Sequence, residues 1–205
     1  MAAQRYEGQK KAKKKRYANI VFWGLMVAVL SGCALFFATS FEEDSKVKML
    51  KISYPREYSQ YVEKAAADYN LDPALIYAVI RTESGFDPNA QSEVGACGLM
   101  QLMPSSFEWL LEKREMTGMY TTEDLFTPEV CIDFGSYLLR YFYDYFGDET
   151  CAIAAYNAGF VVGDWLEIPE YSPDGVTLVD TPYPETSEYI KKVKSAKEMY
   201  QSLYY

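Results

Sequence analysis

The sequence contains no histidine at all among its 205 residues. That absence excludes Ser-His-Asp and Cys-His catalytic units, the two-histidine zinc proteases and histidine-ligated haem. Four cysteines are present, but none stand in a C-x-x-C pair, which removes the usual frame of a structural zinc site. No metal and no organic cofactor is implied. Proton transfer near neutral pH would therefore fall to a carboxyl group with a displaced pKa, or to Tyr, Lys or Cys. Charge is missing too, over one long stretch: Tyr17 to Phe41 is 25 residues without a single Asp, Glu, Lys or Arg. What is plentiful is aromatic surface, with 19 Tyr, 11 Phe and 3 Trp, which suits a cleft offering flat amphipathic walls.

The net charge of −9 averages over unlike parts. Residues 1–16 hold seven basic side chains and one acid, whereas 17–205 hold 13 basic and 28 acidic residues, a net −15. At ~1.5 Å rise per residue, the uncharged 17–41 stretch would reach about 37 Å as a helix, enough to cross ~30 Å of hydrocarbon. The basic cluster before it and Glu42, Glu43 and Asp44 after it orient such an anchor with the N-terminus in the cytoplasm and the body outside. Two other readings stay open. Leu30-Ser31-Gly32-Cys33 resembles a lipobox, with Cys33 lipidated, although the apolar run continues through Ala38; Ala38-Thr39-Ser40 could serve as a cleavage site. The expected organisation is a cytoplasmic tail over 1–16, a membrane helix over 17–41, a spacer over 42–53 and an outer domain over 54–205. So acidic a body argues against nucleic acid as a partner.

The outer domain reads as mainly α. Helices are expected after Pro55 to Asn70, from Asp72-Pro73 to Gly85, from Pro104 to Met116, from Thr127-Pro128 to Gly147, from Asp148 to Gly159, and from Thr186 onward. Leu99–Met103 suggests a short helical turn, and Val176–Val179 a short β-ribbon inside a Pro/Gly/Asp loop. One residue stands out. Glu83 follows Ile76, Val79 and Ile80 by seven, four and three positions, so it shares their apolar face. Burial there, together with the helix C-terminus, raises a carboxyl pKa. The expected result is an acid still protonated near neutral pH, as glycosidic-bond cleavage requires; the alternative is a Glu that rotates to solvent at a frayed helix end.

Four words then occur in order: Glu83-Ser84-Gly85-Phe86, the run Ala90 to Pro104 containing Gly95-Ala96-Cys97-Gly98-Leu99-Met100-Gln101, Ala154-Ala155-Tyr156-Asn157-Ala158-Gly159, and Pro184-Glu185-Thr186-Ser187-Glu188-Tyr189-Ile190. Together they resemble the SLT type of murein lytic transglycosylase, from about Tyr54 to Tyr205. The resemblance implies a lysozyme-like α fold that cuts the MurNAc-β-1,4-GlcNAc bond of peptidoglycan and leaves 1,6-anhydro ends. It assigns Glu83 as single acid and then base, with the substrate's own 6-hydroxyl as nucleophile and its N-acetyl group as stabiliser. Ser92 and Gln101 match cleft polar groups, Met103 an apolar sugar contact, Tyr156 and Asn157 a cleft-facing segment, and Tyr189 a tyrosine that orients the catalytic carboxyl. Asp87, Glu93 and Asp133 are further carboxylates with no motif behind them. Cys97, Cys131 and Cys151 depart from the family pattern and are expected as free, mostly buried thiols. A goose-type lysozyme activity, with water in place of the 6-hydroxyl, and a non-catalytic wall-binding module are the competing functions.

Overall fold

A computed structural model describes residues 45–205 continuously and, before them, residues 7, 8, 10, 13–17, 21–26 and 31. The chain divides into two compact units, Met1–Ser53 and Tyr54–Tyr205. In the first, residues 45–53 are helical, where the sequence suggested a spacer without regular structure. Among the described residues no helix is long and apolar enough to cross a membrane. The expected 17–41 span lies mostly outside the described residues.

The second unit is built of helices: α1 (Ser59–Tyr69), α2 (Pro73–Glu83), α3 (Pro104–Lys113), α4 (Pro128–Phe146), α5 (Glu149–Ala158), the short α6 (Val162–Leu166) and α7 (Pro184–Tyr204). Local chemistry sets most of their ends. The Asp72 carboxylate accepts from the Ala74 N–H at 2.8 Å with Pro73 in the first turn, and Asp148 accepts from Cys151 N–H at 2.9 Å. Gly147 ends α4 in the left-handed region.

Helix α2 is the centre of the core. Every side chain from Ala74 to Ile80 is buried, so it is covered on all sides rather than along one stripe. Its most extensive contact is with α7, which returns from the far end of the sequence; α1 packs on α2 and α4, and α5 on α4 and α7. On α7 the buried positions are Thr186, Tyr189, Ile190, Val193, Ala196 and Tyr200. Leu203, near the end of the helix, is only half-buried.

Several expectations are corrected. Leu99–Met103 is not helical. Cys97 and Leu102 exchange backbone hydrogen bonds (2.9 and 3.1 Å) around a tight turn in which Gln101 takes φ +49°. Neither is there a strand at Val176–Val179: Asp174 accepts from Val176 N–H and Thr177 N–H at 2.9 and 2.8 Å, curling the segment, and a single bond from Val179 N–H to Tyr171 C=O remains. Thr127 opens α4 without a side-chain cap. Helix α3 stops at Lys113, three residues short of Met116, and a 3-10 turn at Thr122–Phe126 with an Asp124 capping box was not foreseen. Cys97, Cys131 and Cys151 are free and buried.

Candidate active site

Glu83 is the last residue of α2. The apolar stripe that brings Ile76, Val79 and Ile80 into the core also carries its carboxyl into protein surroundings, where it is half-buried. Burial pushes that carboxyl up from 4.5 to about 7, because the ionised form loses hydration. The Tyr189 hydroxyl, 106 positions away on α7, donates to Glu83 Oε1 at 2.6 Å and pulls the pKa partly back. Burial and the Tyr189 bond are the two causes of that shift, and burial is the larger.

Tyr156 and Tyr189 both feel the charge of Glu83, and burial lifts both phenols well above their usual 10. They therefore stay protonated, as hydrogen-bond donors, through any pH the carboxyl traverses. Tyr156 donates to the Met100 carbonyl at 2.9 Å, and Ser84, beside the acid, donates to the Leu99 carbonyl at 2.8 Å. The 97–102 turn is thus tied from two sides to the neighbourhood of Glu83.

Gln101 and Ser92 act in the same loop. The Gln101 amide donates to the Ala90 and Gly98 carbonyls (3.0 and 2.9 Å), and Ser92 Oγ accepts from Ala96 N–H at 2.9 Å. The hydroxyl of Tyr189 is the hydrogen-bond partner of Glu83; Ser92 and Gln101 are spent on the turn's backbone. Asn157 Oδ1 accepts from Thr186 Oγ1 at 2.8 Å, joining α5 to the start of α7. Met103 is 37% exposed. With Trp109, Tyr156, Asn157 and Phe160 it lines a groove of about 410 Å³. Met103, Tyr156 and Asn157 thereby meet in one groove, and Tyr156 connects it to the acid.

The carboxylates without a motif lie elsewhere. Asp133 forms an ion pair with Arg114 at 2.6 Å and accepts from the Tyr69 hydroxyl at 2.5 Å. Asp87 caps its own loop by accepting from Asn89 N–H, and Glu93 is exposed. Ser84, Met100, Trp109 and Phe160 belong to the site but were not singled out from the sequence. Ser84 could have been, since it sits inside the first motif word. The role of Met100 is carried by its backbone, which no side-chain pattern reports. No group of acidic or cysteine side chains that could hold a metal occurs among the described residues.

The Tyr189 bond makes a measurable prediction. Tyr189→Phe removes a donor that favours the ionised carboxyl, so the pKa of Glu83 should rise above its present value. Turnover should fall about tenfold as the carboxyl loses its orientation, the scale of one charge-assisted bond. A ¹³C titration of the Glu83 carboxyl beside a pH–rate profile checks both; an unmoved pKa would remove Tyr189 from the role of positioning residue.

Comparison with known proteins gives a consistent picture. The family model described as the transglycosylase SLT domain matches residues 60–170. The soluble lytic murein transglycosylase of Escherichia coli K12 is 31% identical over 155 residues, covering 74% of this chain but 24% of that protein. Membrane-bound lytic murein transglycosylase C of Actinobacillus pleuropneumoniae is 30% identical over 169 residues, 71% of this chain and 46% of its own. The chain thus spans about a quarter of the soluble relative and under half of the membrane-bound one. Among solved structures, the 70-kDa soluble lytic transglycosylase of E. coli superposes with a TM-score of 0.67 at 28% identity, over 75% of this chain and 25% of that one. An inactive glutamate-to-glutamine mutant of the Pseudomonas aeruginosa lytic transglycosylase Slt gives 0.65 at 31% identity, with the same coverage. A sequence match over more than half the chain, on a helical fold shared with two solved members, places this chain in the transglycosylase SLT domain family.

Proposed function

We propose that the chain is a membrane-anchored lytic transglycosylase of peptidoglycan, with Glu83 as its single acid and base. The observation that carries this reading is a carboxyl held to a pKa of about 7, bonded by Tyr189 and joined through Tyr156 to an aromatic groove. In the first step the Glu83 proton passes to the glycosidic oxygen, the C1–O bond of MurNAc breaks, and GlcNAc leaves with a free 4-hydroxyl. The N-acetyl group of MurNAc steadies the oxocarbenium-like centre. In the second step the Glu83 carboxylate takes the proton of the MurNAc 6-hydroxyl, whose oxygen bonds to C1. Glu83 is returned protonated, no water is consumed, and the product ends in 1,6-anhydro-MurNAc.

Sugar faces would lie against Met103, Trp109 and Phe160, with Asn157 and Tyr156 offering polar contacts and Ser92 and Gln101 shaping the loop beneath. The apolar 17–41 stretch would hold the catalytic unit at the outer face of a bacterial membrane, as an uncleaved single-pass anchor. The relative from Actinobacillus carries "membrane-bound" in its name, which supports tethering as a working arrangement.

The test is to digest purified peptidoglycan with the full chain and weigh the fragments. Anhydro-muropeptides are expected. Fragments one water heavier, ending in reducing MurNAc, would make the protein a hydrolase of goose-type lysozyme character, and binding without fragments would make it a wall-binding module.

A further inference from the structure

Cys131 is the first buried residue of α4, and its sulfur lies against the backbone of the 97–102 turn. Cys131 Sγ accepts from the Met100 N–H at 3.3 Å and donates to the Cys97 carbonyl at 3.8 Å. Helix α4 is shaped around the same residue one turn further on. A Cβ at Gly135 would stand 2.5 Å from Met100 Sδ, so the missing side chain of Gly135 is what admits that of Met100. The turn fits the sulfur as closely, since a Cβ at Gly98 would come to 3.0 Å from it. Met100 is thus seated on α4 by its amide and by its side chain.

What Met100 holds in its turn is the site. Its carbonyl accepts from the Tyr156 hydroxyl at 2.9 Å, and the Leu99 carbonyl beside it accepts from Ser84, the neighbour of Glu83, at 2.8 Å. Tyr156 lines the groove with Met103 and Asn157. The thiol also stands within reach of the acid's charge: the Cys97 thiol and the Glu83 carboxyl both act on Cys131, and Cys97 in turn feels Glu123. Burial pushes the Cys131 thiol up to about 12, while the Met100 and Leu99 amides pull it partly back. Over the range in which Glu83 titrates, the group therefore stays S–H, a donor and an acceptor at once. A buried thiol of that kind is inert as a nucleophile, and what it contributes are the bonds it makes.

We infer that Cys131 is a positioning residue of the active site, its thiol fixing Met100 so that the turn presents the carbonyls that Tyr156 and Ser84 engage. Without the sulfur, the Met100 N–H loses its acceptor in a buried place, where an unmet amide is costly. The turn can then satisfy it only by shifting or by admitting water. Either change loosens the wall around Glu83 and hydrates its carboxyl, whose pKa should fall from about 7 toward the ordinary 4.5. The inference deepens the transglycosylase reading above and rests on it for its kinetic consequences.

The test compares the full chain with Cys131→Ala, Cys131→Ser and, as a control, Cys151→Ala. Cys151 is likewise a buried free thiol, on α5, donating to the Val176 carbonyl at 3.4 Å. Both alanine variants should lose similarly in Tm, since each empties the place of one buried sulfur. Only Cys131→Ala should lose roughly tenfold in kcat with little change in KM, the scale of one buried bond. Its pH–rate profile should also change, the alkaline limb moving about half a unit or more to lower pH as Glu83 gives up its proton earlier. Cys131→Ser, with the same donor and acceptor on a shorter arm, should fall between parent and Cys131→Ala. Two readouts need no turnover. In Cys131→Ala, hydrogen exchange at the Met100 amide should quicken and the ¹³C titration of the Glu83 carboxyl should move down, while Cys151→Ala leaves both in place. A limb and a titration unmoved in both Cys131 variants, or moved as far by Cys151→Ala, overturn the inference. If Cys131→Ala does not fold, Cys131→Ser decides by the same readouts. A parent chain that cuts no peptidoglycan defeats the transglycosylase reading, while the exchange and the titration still decide the role of Cys131.

Discussion

Glu83→Gln should abolish cleavage and, at the same time, make the catalytic unit harder to unfold at alkaline pH. The amide has the shape of the carboxyl and can still accept from Tyr189, but it can neither donate nor take up the protons that the proposed mechanism assigns to Glu83. Loss of both roles should cost at least about 10³-fold in turnover, as for removal of a positioned general acid–base. The stability effect follows from linkage. Glu83 has a folded pKa of about 7 against an ordinary value of 4.5. Below 4.5 it is neutral in the folded and unfolded chain alike, and the favourable burial of the neutral acid is fully present. As pH rises from 4.5 through 7, the unfolded chain releases its proton first and that contribution is lost. At about 1.4 kcal/mol per pKa unit, the ionised group burdens the fold by on the order of 3 kcal/mol once the pH is well above 7. The amide of the variant does not titrate, so Glu83→Gln should gain on the parent progressively between pH 5 and pH 8. Urea unfolding at several pH values measures the gap; a gap independent of pH would show that Glu83 is not held neutral. In the parent chain, cleavage should decline about tenfold for each pH unit above 7, since the cycle begins from the protonated acid.

The second large effect concerns a residue that touches no substrate. Gly98 has φ +73°, and a Cβ placed there would stand 2.1 Å from the Leu125 carbonyl oxygen and 3.0 Å from Cys131 Sγ. The first of these is backbone, which cannot swing aside. Gly98→Ala therefore combines left-handed strain with overpacking against a fixed neighbour, for a loss of about 3 kcal/mol or more. In a unit of this size that corresponds to a fall in Tm of roughly 10 °C. Gly95 makes the control. It too has positive φ, at +92°, but nothing stands within 4 Å of its would-be Cβ, so Gly95→Ala should lose only about 1 kcal/mol. Activity should follow the same order, because the turn begun at Gly98 presents the Leu99 and Met100 carbonyls that Ser84 and Tyr156 engage. If calorimetry finds the two alanine variants equally stable, the close approach to Leu125 is not what fixes this turn.

How far the sequence alone could reach is clearest from Glu83. Its spacing from Ile76, Val79 and Ile80 is a local, periodic signal, and it foretells burial and a raised pKa before any contact is known. Tyr189 is different. It lies 106 positions away, and only the family resemblance linked it to the acid; nothing in its own surroundings on α7 names a partner. The 97–102 turn misled because Leu, Met and Gln are good helix formers. The bonds between Cys97 and Leu102, and the left-handed Gln101 whose amide closes the loop, override that propensity from within the tertiary fold. Asp174 likewise outweighs the β-branched residues after it, by offering their backbone a closer acceptor. The concavity lined by Arg81 and Lys191 was invisible for a further reason. Arg81 and Lys191 are 110 residues apart, so neither forms a charge run, and only the packing of α2 on α7 makes them neighbours.

That packing also bears on the order in which the unit can be completed. The Tyr200 hydroxyl donates to the Pro55 carbonyl at 3.0 Å, and the Tyr204 hydroxyl to the Tyr54 carbonyl at 2.7 Å, across 145 and 150 positions. The first residues of the unit are clasped by its last helix, and α2 has its largest partner in that same helix. A growing chain therefore holds one face of α2 uncovered until the segment up to Tyr204 has arrived, and contacts of such long separation form slowly. Because the same helix brings Tyr189 to Glu83, the unit has no Glu83–Tyr189 bond before its apolar centre is closed. On the transglycosylase reading an incomplete chain is thus inactive by construction, and Glu83 gains its partner in the same event that finishes the fold.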